Sequence, residues 1–192
     1  MAKGRHALGR ALGDLLGDEG RGLSPRMREL LAEMRREWAE LDARIAALDR
    51  EFVETARASS PARRLATIPG IGALNATALT AAVGEAEDFA KGRDFAAWLG
   101  LVPRQTTTGG KARLGGITKR GNVYLRTLLI HGARAALPGL SRADTPLGAW
   151  LRGLLERAHP NVVVVALAAK LARIAWAVLR SGADYDGRAA RA

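Results

Sequence analysis

The residues best suited to chemistry lie in a short basic segment near the middle of the chain. Three consecutive threonines, residues 106–108, are followed by Gly109, Gly110 and Lys111. A threonine hydroxyl can donate a hydrogen bond to a phosphate oxygen, and a neighbouring base can activate it as a nucleophile. Glycine backbone N–H groups and basic side chains bind phosphates. Composition alone therefore favours a flexible basic loop that orders on nucleic acid without catalysing a reaction.

The candidate nucleic-acid ligands extend to both sides of that loop, and Thr108 is the candidate nucleophile. Besides Gly109, Gly110 and Lys111, they include Arg104, Gln105, Thr107, Arg113, Lys119, Arg120 and Arg126. Tyr124 and His131 follow on a predicted helix. A hydroxyl near several cations is the arrangement that tyrosine recombinases use, but Tyr124 ranks behind the threonines because its position also fits packing. His131 receives no role.

The charge pattern indicates a polyanionic partner. The chain has a net charge of +11, and residues 1–94 carry as many acidic as basic residues. Residues 95–142 contain eight basic residues and no Asp or Glu. A basic surface of an Arg-rich protein is the alternative, but the local exclusion of acids favours nucleic acid.

The segment Ile-Pro-Gly-Ile-Gly at residues 68–72 fits a helix-hairpin-helix motif. Gly70 and Gly72 would let the backbone approach a phosphate closely, beside the N–H groups that begin the next helix. Such a contact binds the nucleic-acid backbone and not the bases. The alternative is a tight turn between two helices with no ligand.

Several functional classes are excluded by composition. The chain has no cysteine, which removes disulfides, zinc–thiolate sites and thiol nucleophiles. Its three histidines are scattered, so no metal site is predicted. The apolar stretch from Val162 to Leu179 is interrupted by Lys170 and Arg173, which favours a core helix over a membrane span. We expect a soluble, cytoplasmic protein with no membrane partner.

Residues 23–60 are predicted to form a coiled-coil helix that begins at Ser24-Pro25. From Met27 to Phe52, apolar residues recur at alternating spacings of four and three, as in a heptad repeat. The partner helix belongs either to a second subunit or to the C-terminal helices of the same chain. Residues 1–22 contain six glycines and predict a flexible lead-in.

The predicted fold is mainly α, because the sequence gives almost no strand signal. Residues 61–192 are expected to form a compact helical domain that contains the helix-hairpin-helix-like motif and the basic loop, residues 104–121. A helix is predicted over 123–137, a connector over 138–145, and a long final helix over 161–180, with Asn161 as its N-cap.

Three segments in a fixed order carry a family resemblance. They are Leu65–Gly72, Trp98–Gln105 and Gly115–Arg126. Together they resemble the C-terminal transposase domain of the bridge-RNA-guided insertion-sequence transposases (insertion-sequence family one-hundred-ten). The preceding heptad helix and the tail through Leu179 resemble the same family, so the likeness covers nearly the whole chain.

The resemblance implies a DNA recombinase that works as a dimer or tetramer around a structured guide RNA. In that family an N-terminal nuclease-like domain supplies acidic metal ligands, and a serine in a Ser-Gly motif is the nucleophile. Thr108-Gly109 matches the Ser-Gly position, although a β-branched threonine crowds an in-line attack. The acidic domain is not found ahead of the heptad helix, so Mg²⁺ is expected only with such a domain and no cofactor in this chain.

Two hypotheses follow. The first is a DNA-binding transposase C-terminal domain, expected to be an incomplete copy that lacks the acidic domain. The second is a non-catalytic module that binds nucleic acid and joins a full-length transposase, or another copy of itself, through the coiled coil.

Overall fold

The computed structural model describes residues 4–17 and 22–187. Within them the prediction of a mainly α fold is confirmed, since eight helices accompany one two-stranded sheet. The elements are α1 (Arg5–Gly17), α2 (Pro25–Ala58), α3 (Ser60–Ala66), α4 (Ala73–Val83), α5 (Gly92–Trp98), β1 (Pro103–Thr108), β2 (Lys111–Ile117), α6 (Val123–Arg142), α7 (Pro146–Leu155) and α8 (Pro160–Ser181). The chain divides into two compact units, Met1–Glu51 and Phe52–Ala192, so the boundary falls inside α2.

The first unit pairs α1 with the N-terminal part of α2. Where the glycines favoured a flexible lead-in, residues 5–17 form a helix. Arg5 forms an ion pair with Asp42 of α2, and the Arg28 guanidinium donates to the Leu16 carbonyl oxygen at 2.9 Å. The predicted cap of α2 is confirmed, because the Met27 N–H donates to the Ser24 hydroxyl at 3.2 Å.

Most of the heptad positions on α2 are exposed in the single chain. Met34 is 62% exposed and Leu41 57%, and both Ile45 and Leu48 are 52% exposed. Leu31, Trp38 and Phe52 are half-buried. The coiled coil itself stays a prediction.

The second unit is built around α8. Eleven residues of this helix are buried, among them Val163, Leu167, Leu171 and Val178, and α3, α5, α6 and α7 pack against it. By length and composition α8 could also cross a membrane, but 61% of its apolar window is buried inside the fold. The predicted core helix is therefore the one observed. Burial, with Arg173 as a lesser cause, holds the pKa of Lys170 below its ordinary value.

Two details of the helical predictions are wrong. Residues 138–142 do not belong to a connector, because α6 continues through Pro138 to Arg142. A proline removes one backbone N–H from a helix, and here the Arg142 side chain binds the Pro138 carbonyl oxygen at 2.8 Å. The cap of α8 is His159 rather than Asn161, since the Asn161 N–H donates to His159 Nδ1 at 3.2 Å.

Candidate nucleic-acid interface

The predicted basic loop contains an antiparallel β-hairpin. Strand β1 pairs with β2, and Thr108 lies opposite Lys111 across a two-residue turn. Gly109 and Gly110 have φ values of +58° and +76°. Positive φ at both central positions is the requirement of a type I′ turn, whose twist matches that of the flanking strands. The glycines therefore make a hairpin where the composition predicted a flexible loop.

A second glycine pair produces an irregularity lower in the hairpin. Pro103 lies opposite Ile117, but Gln105 lies opposite Leu114, so β2 has one more residue than β1 between these pairs. Gly115 and Gly116 occupy that position. An extra residue in one strand is a β-bulge, which bends the strand and increases its twist.

The two faces of the hairpin differ in charge. Side chains alternate along a strand, and directly paired residues share a face. One face carries the hairpin's three basic residues together with two threonines, and we call it the cationic face: Arg104, Thr106, Thr108, Lys111 and Arg113. The other face is uncharged and carries Gln105, Thr107, Ala112 and Leu114. All nine residues are exposed.

The hairpin is joined to the helices by a close backbone crossing, the hairpin base, at residues 98–102 and 118–121. The Thr118 N–H donates to the Val102 carbonyl oxygen at 2.9 Å, and the Lys119 N–H donates to that of Gly100 at 3.1 Å. Gly100 and Gly121 have φ values of +70° and +121°, and a Cβ on either would overlap the backbone of the opposite segment. Lys119 and Arg120 in this crossing are exposed.

Arg126 does not belong to this exposed surface. It is 8% exposed, and its guanidinium donates to the Leu99 carbonyl oxygen at 3.0 Å. A buried guanidinium needs such acceptors because desolvating a charge is costly. As placed, Arg126 positions the start of α6 against the hairpin base, and its contact with nucleic acid stays a prediction that this burial disfavours. Asn122 caps the same helix by accepting from the Leu125 N–H at 3.0 Å.

The two glycines of the helix-hairpin-helix-like segment have different surroundings. Gly70, with φ +94°, lies against α6, since a Cβ there would come within 2.9 Å of the Gly132 carbonyl oxygen. The Asn75 side-chain amide donates to the carbonyl oxygens of Gly70 and Leu128, each at 3.2 Å. Gly70 is thus packed into the fold. Gly72 has open space around it and is the N-cap of α4, where no side chain caps the helix, so its contact with phosphate stays a prediction.

Among the described residues, the basic side chains of the interface have no acidic side chains paired with them. Across residues 4–17 and 22–187, no ion pair involves Arg104, Lys111, Arg113, Lys119 or Arg120. Elsewhere in the second unit, Arg64 pairs with Glu85 and Arg180 with Glu87. The five side chains therefore present positive charge with no carboxylate to offset it. The described residues contain no group of three or more His, Asp or Glu side chains arranged to hold a metal ion.

Thr108 lies at the exposed tip of the cationic face. No histidine or carboxylate in the described part of the chain hydrogen-bonds its hydroxyl, although Lys111 lies directly across the ladder. Gln105 contacts Thr107 on the uncharged face, where its side-chain amide donates to the hydroxyl at 3.4 Å. The geometry brings the hydroxyl of Thr108 together with cations but not with a general base.

Sequence reasoning missed the exposure of three side chains beside the hairpin base. Tyr124 is 58% exposed and Val123 64%, although the position of Tyr124 in the sequence also fits packing. Trp98 is 37% exposed and stacks on Phe95, with ring centroids 5.9 Å apart. The sequence signal for the exposure of Val123 and Tyr124 was the N-cap at Asn122. It places these two residues in the first turn of α6, before the first buried residue, Leu125.

Comparison with known proteins finds a family match for the part of the chain that contains the hairpin. The family described as "Transposase IS116/IS110/IS902 family" matches residues 62–144, which include the hairpin, its base and α6. A "Probable family 20 transposase" of Pseudomonas aeruginosa is 49% identical over 183 residues, which cover 95% of this chain and 54% of the relative.

Two transposases of named insertion sequences are also similar. That of IS1111A from Coxiella burnetii is 41% identical over 96% of this chain and 51% of its own length. That of IS1328 from Yersinia enterocolitica is 42% identical over 85% of this chain and 49% of its own length. The chain thus spans about half the length of these relatives. Through residues 62–144, the chain carries a transposase domain of the IS116/IS110/IS902 family.

Proposed function

We propose that this chain is the nucleic-acid-binding part of a transposase and binds DNA through the cationic face and the hairpin base during transposition in the cytoplasm. The observation that carries the proposal is the set of five exposed basic side chains without a carboxylate partner: Arg104, Lys111, Arg113, Lys119 and Arg120. The family match over the same residues supports it.

The expected mode of binding is contact with the phosphate backbone. Lysine and arginine side chains neutralise phosphates and release counterions, which makes the affinity fall steeply with salt. The hydroxyl of Thr108 lies across the ladder from Lys111 and can donate to a phosphate oxygen, whereas that of Thr106 donates to the Arg113 carbonyl oxygen at 3.5 Å. Such contacts fix register and orientation and carry no base sequence information.

A structured guide RNA is a second proposed ligand of the same surface. The support is the resemblance described above together with the chemistry, because phosphate ligands serve DNA and RNA alike. Duplex DNA and a folded RNA of equal length are therefore separate arms of one titration.

The test is binding across a salt series with a triple variant, Lys111→Ala, Lys119→Ala and Arg120→Ala. We expect a loss of affinity of more than tenfold and a decrease of about 2 to 3 in the slope of log K against log salt. The free energy of unfolding should change by less than about 0.5 kcal/mol because these residues are exposed. Electrophoretic mobility shift and urea denaturation measure the two quantities.

The matched control removes the same charge elsewhere on the second unit, by Lys91→Ala, Arg93→Ala and Arg157→Ala. These side chains are also exposed. Binding that weakens equally in both triple variants would refute the hairpin as the binding surface, because it would then depend on net charge alone.

Phosphotransfer by Thr108 is a further proposal that depends on the first. The hydroxyl oxygen would attack phosphorus, the bond from phosphorus to the leaving sugar oxygen would break, and the threonine proton would end on that sugar oxygen. The general base must come from outside the contacts described. A covalent DNA adduct that survives denaturing electrophoresis and disappears in Thr108→Ala is the expected result. An adduct that persists in the variant would eliminate Thr108 as the nucleophile.

The alternative function is a non-catalytic module that assembles with another copy or with a full-length transposase through α2. The exposed heptad positions on α2 favour it, because Leu41, Ile45 and Leu48 leave apolar surface in water. Leu41→Lys with Ile45→Lys should convert an oligomer into a monomer in analytical ultracentrifugation. Ala43→Lys with Ala47→Lys adds the same charge off the repeat and should leave the mass unchanged. A wild-type chain that is monomeric would exclude self-association.

A further inference from the structure

Three large side chains with apolar surface are exposed in the hairpin base or close to it in the chain. Trp98 ends α5, and Val123 with Tyr124 opens α6. Two observations show that the two helix ends lie close together. A Cβ on Gly121 would overlap the Trp98 carbonyl oxygen, and the Arg126 guanidinium donates to the Leu99 carbonyl oxygen. The end of α5 and the start of α6 thus meet at the hairpin base.

The indole of Trp98 is held from behind by other rings. Its centroid lies 5.9 Å from that of Phe95 at an interplanar angle of 16°, and 5.6 Å from that of Phe89. Phe95 is fully buried. The exposed part of Trp98 is therefore the outer edge of a packed aromatic cluster, and its position is fixed before any ligand arrives.

Tyr124 is the more accessible ring, with 58% of its surface exposed. The buried face of α6 consists of Leu125, Arg126, Leu129, Ala133 and Leu137, so Tyr124 contributes nothing to it. Exposing an aromatic ring to water has a free-energy cost that grows with the exposed apolar area.

The charges around these rings indicate what would cover them. Lys119 and Arg120 are exposed in the segment that leads to Tyr124, and residues 95–142 contain no acid. Proteins that hold single-stranded nucleic acid combine cations along the backbone path with aromatic side chains on which bases stack. A paired base in a duplex has both faces covered by its neighbours, whereas an unpaired base can stack on a ring.

We infer that Tyr124 is a stacking site for an unpaired nucleobase at the base of the cationic hairpin. The inference rests on the proposed function, and it adds a preference for single-stranded or overhanging strands over blunt duplex. The cations bind the phosphates that flank the base, and the ring of Tyr124 binds the base itself.

The experiment compares the full chain with Tyr124→Ala and Tyr124→Phe. The probes are a single-stranded oligodeoxynucleotide that contains 2-aminopurine and the blunt duplex of the same sequence. Stacking quenches 2-aminopurine fluorescence, so the wild type should quench the single strand. Tyr124→Ala should weaken single-strand binding about tenfold and remove the quenching, with duplex affinity changed by less than about twofold. Tyr124→Phe keeps the ring and should bind as the wild type does.

Other outcomes separate the two proposals. If Tyr124→Ala leaves both affinities and the quenching unchanged while the hairpin triple variant loses both ligands, the proposed function stands and the stacking site is refuted. If the wild type binds neither probe in a salt-dependent way, both are refuted. If Tyr124→Ala alters the sedimentation mass instead of strand preference, the surface is a protein contact and the stacking site is refuted. Circular dichroism of each variant verifies that the helices remain folded.

Discussion

Helix α8 and the β1–β2 hairpin differ in what surrounds their side chains. Eleven residues of α8 are buried, including Leu167 and Ala172 at 0% exposure. By contrast, twelve of the thirteen residues of β1 and β2, all except Ile117, are exposed, as is the turn between the strands. The hairpin contributes almost nothing to the core, and α8 contributes no residue to the candidate interface. The core that stabilises this unit and the surface proposed to bind nucleic acid are therefore separate.

The largest expected effect is at the junction of these two regions. Gly121→Ala places a Cβ against the Trp98 carbonyl oxygen at a backbone φ of +121°. Steric overlap with backbone and a strained φ together should lower the free energy of unfolding by about 4 kcal/mol. Urea denaturation measures it. A variant as stable as the wild type would mean that the hairpin base is not rigidly held on the helices.

A smaller effect is expected from a pair of leucine truncations that compares the two regions directly. Leu167→Ala opens a cavity in the core and should cost about 3 kcal/mol. Leu114→Ala removes the same atoms from a side chain that is 70% exposed and should cost less than about 0.5 kcal/mol. Equal losses in thermal or urea unfolding would contradict the separation of core and hairpin.

A destabilisation smaller than that of Leu167→Ala is expected for Arg126→Met. The substitution keeps an apolar stem but leaves the Leu99 carbonyl oxygen without its donor, which should cost about 2 kcal/mol. Because Arg126 is buried, the salt slope of nucleic-acid binding should not change in the fraction that remains folded. A slope reduced by about 1, as for loss of a phosphate contact, would place Arg126 in the interface after all.

Much of the helical architecture could be predicted from the sequence because helices leave local signals. Ser24-Pro25 marks the start of α2, and the apolar run Val162–Leu179 matches α8. Pro138 misled the prediction of α6, since a proline usually ends a helix. Its tolerance depends on the packing of Leu137 and Leu140 on either side, which the local sequence does not reveal.

The basic residues of the candidate site could be predicted from the sequence, but the β-hairpin that carries them could not. A strand is predicted from alternating apolar and polar residues in the sequence. Because both faces of this hairpin are exposed to water, its strands lack that alternation and were not predicted. The remaining signal was the Gly-Gly pair at residues 109–110, which the type I′ turn requires. The burial of Arg126 depends on an acceptor twenty-seven residues away in the chain, and no spacing rule reports such a contact.

The length of the hairpin sets how far the chain can reach. β1 has six residues, and at about 3.3 Å per residue it projects about 20 Å from the helices. That distance matches the rise of about six base pairs along a duplex, at about 3.4 Å each. If nucleic acid binds along the cationic face as proposed, the length of its contact depends on the length of the strands and not on the size of the core. Lengthening or shortening the two strands in register would change that contact length in steps of one residue pair.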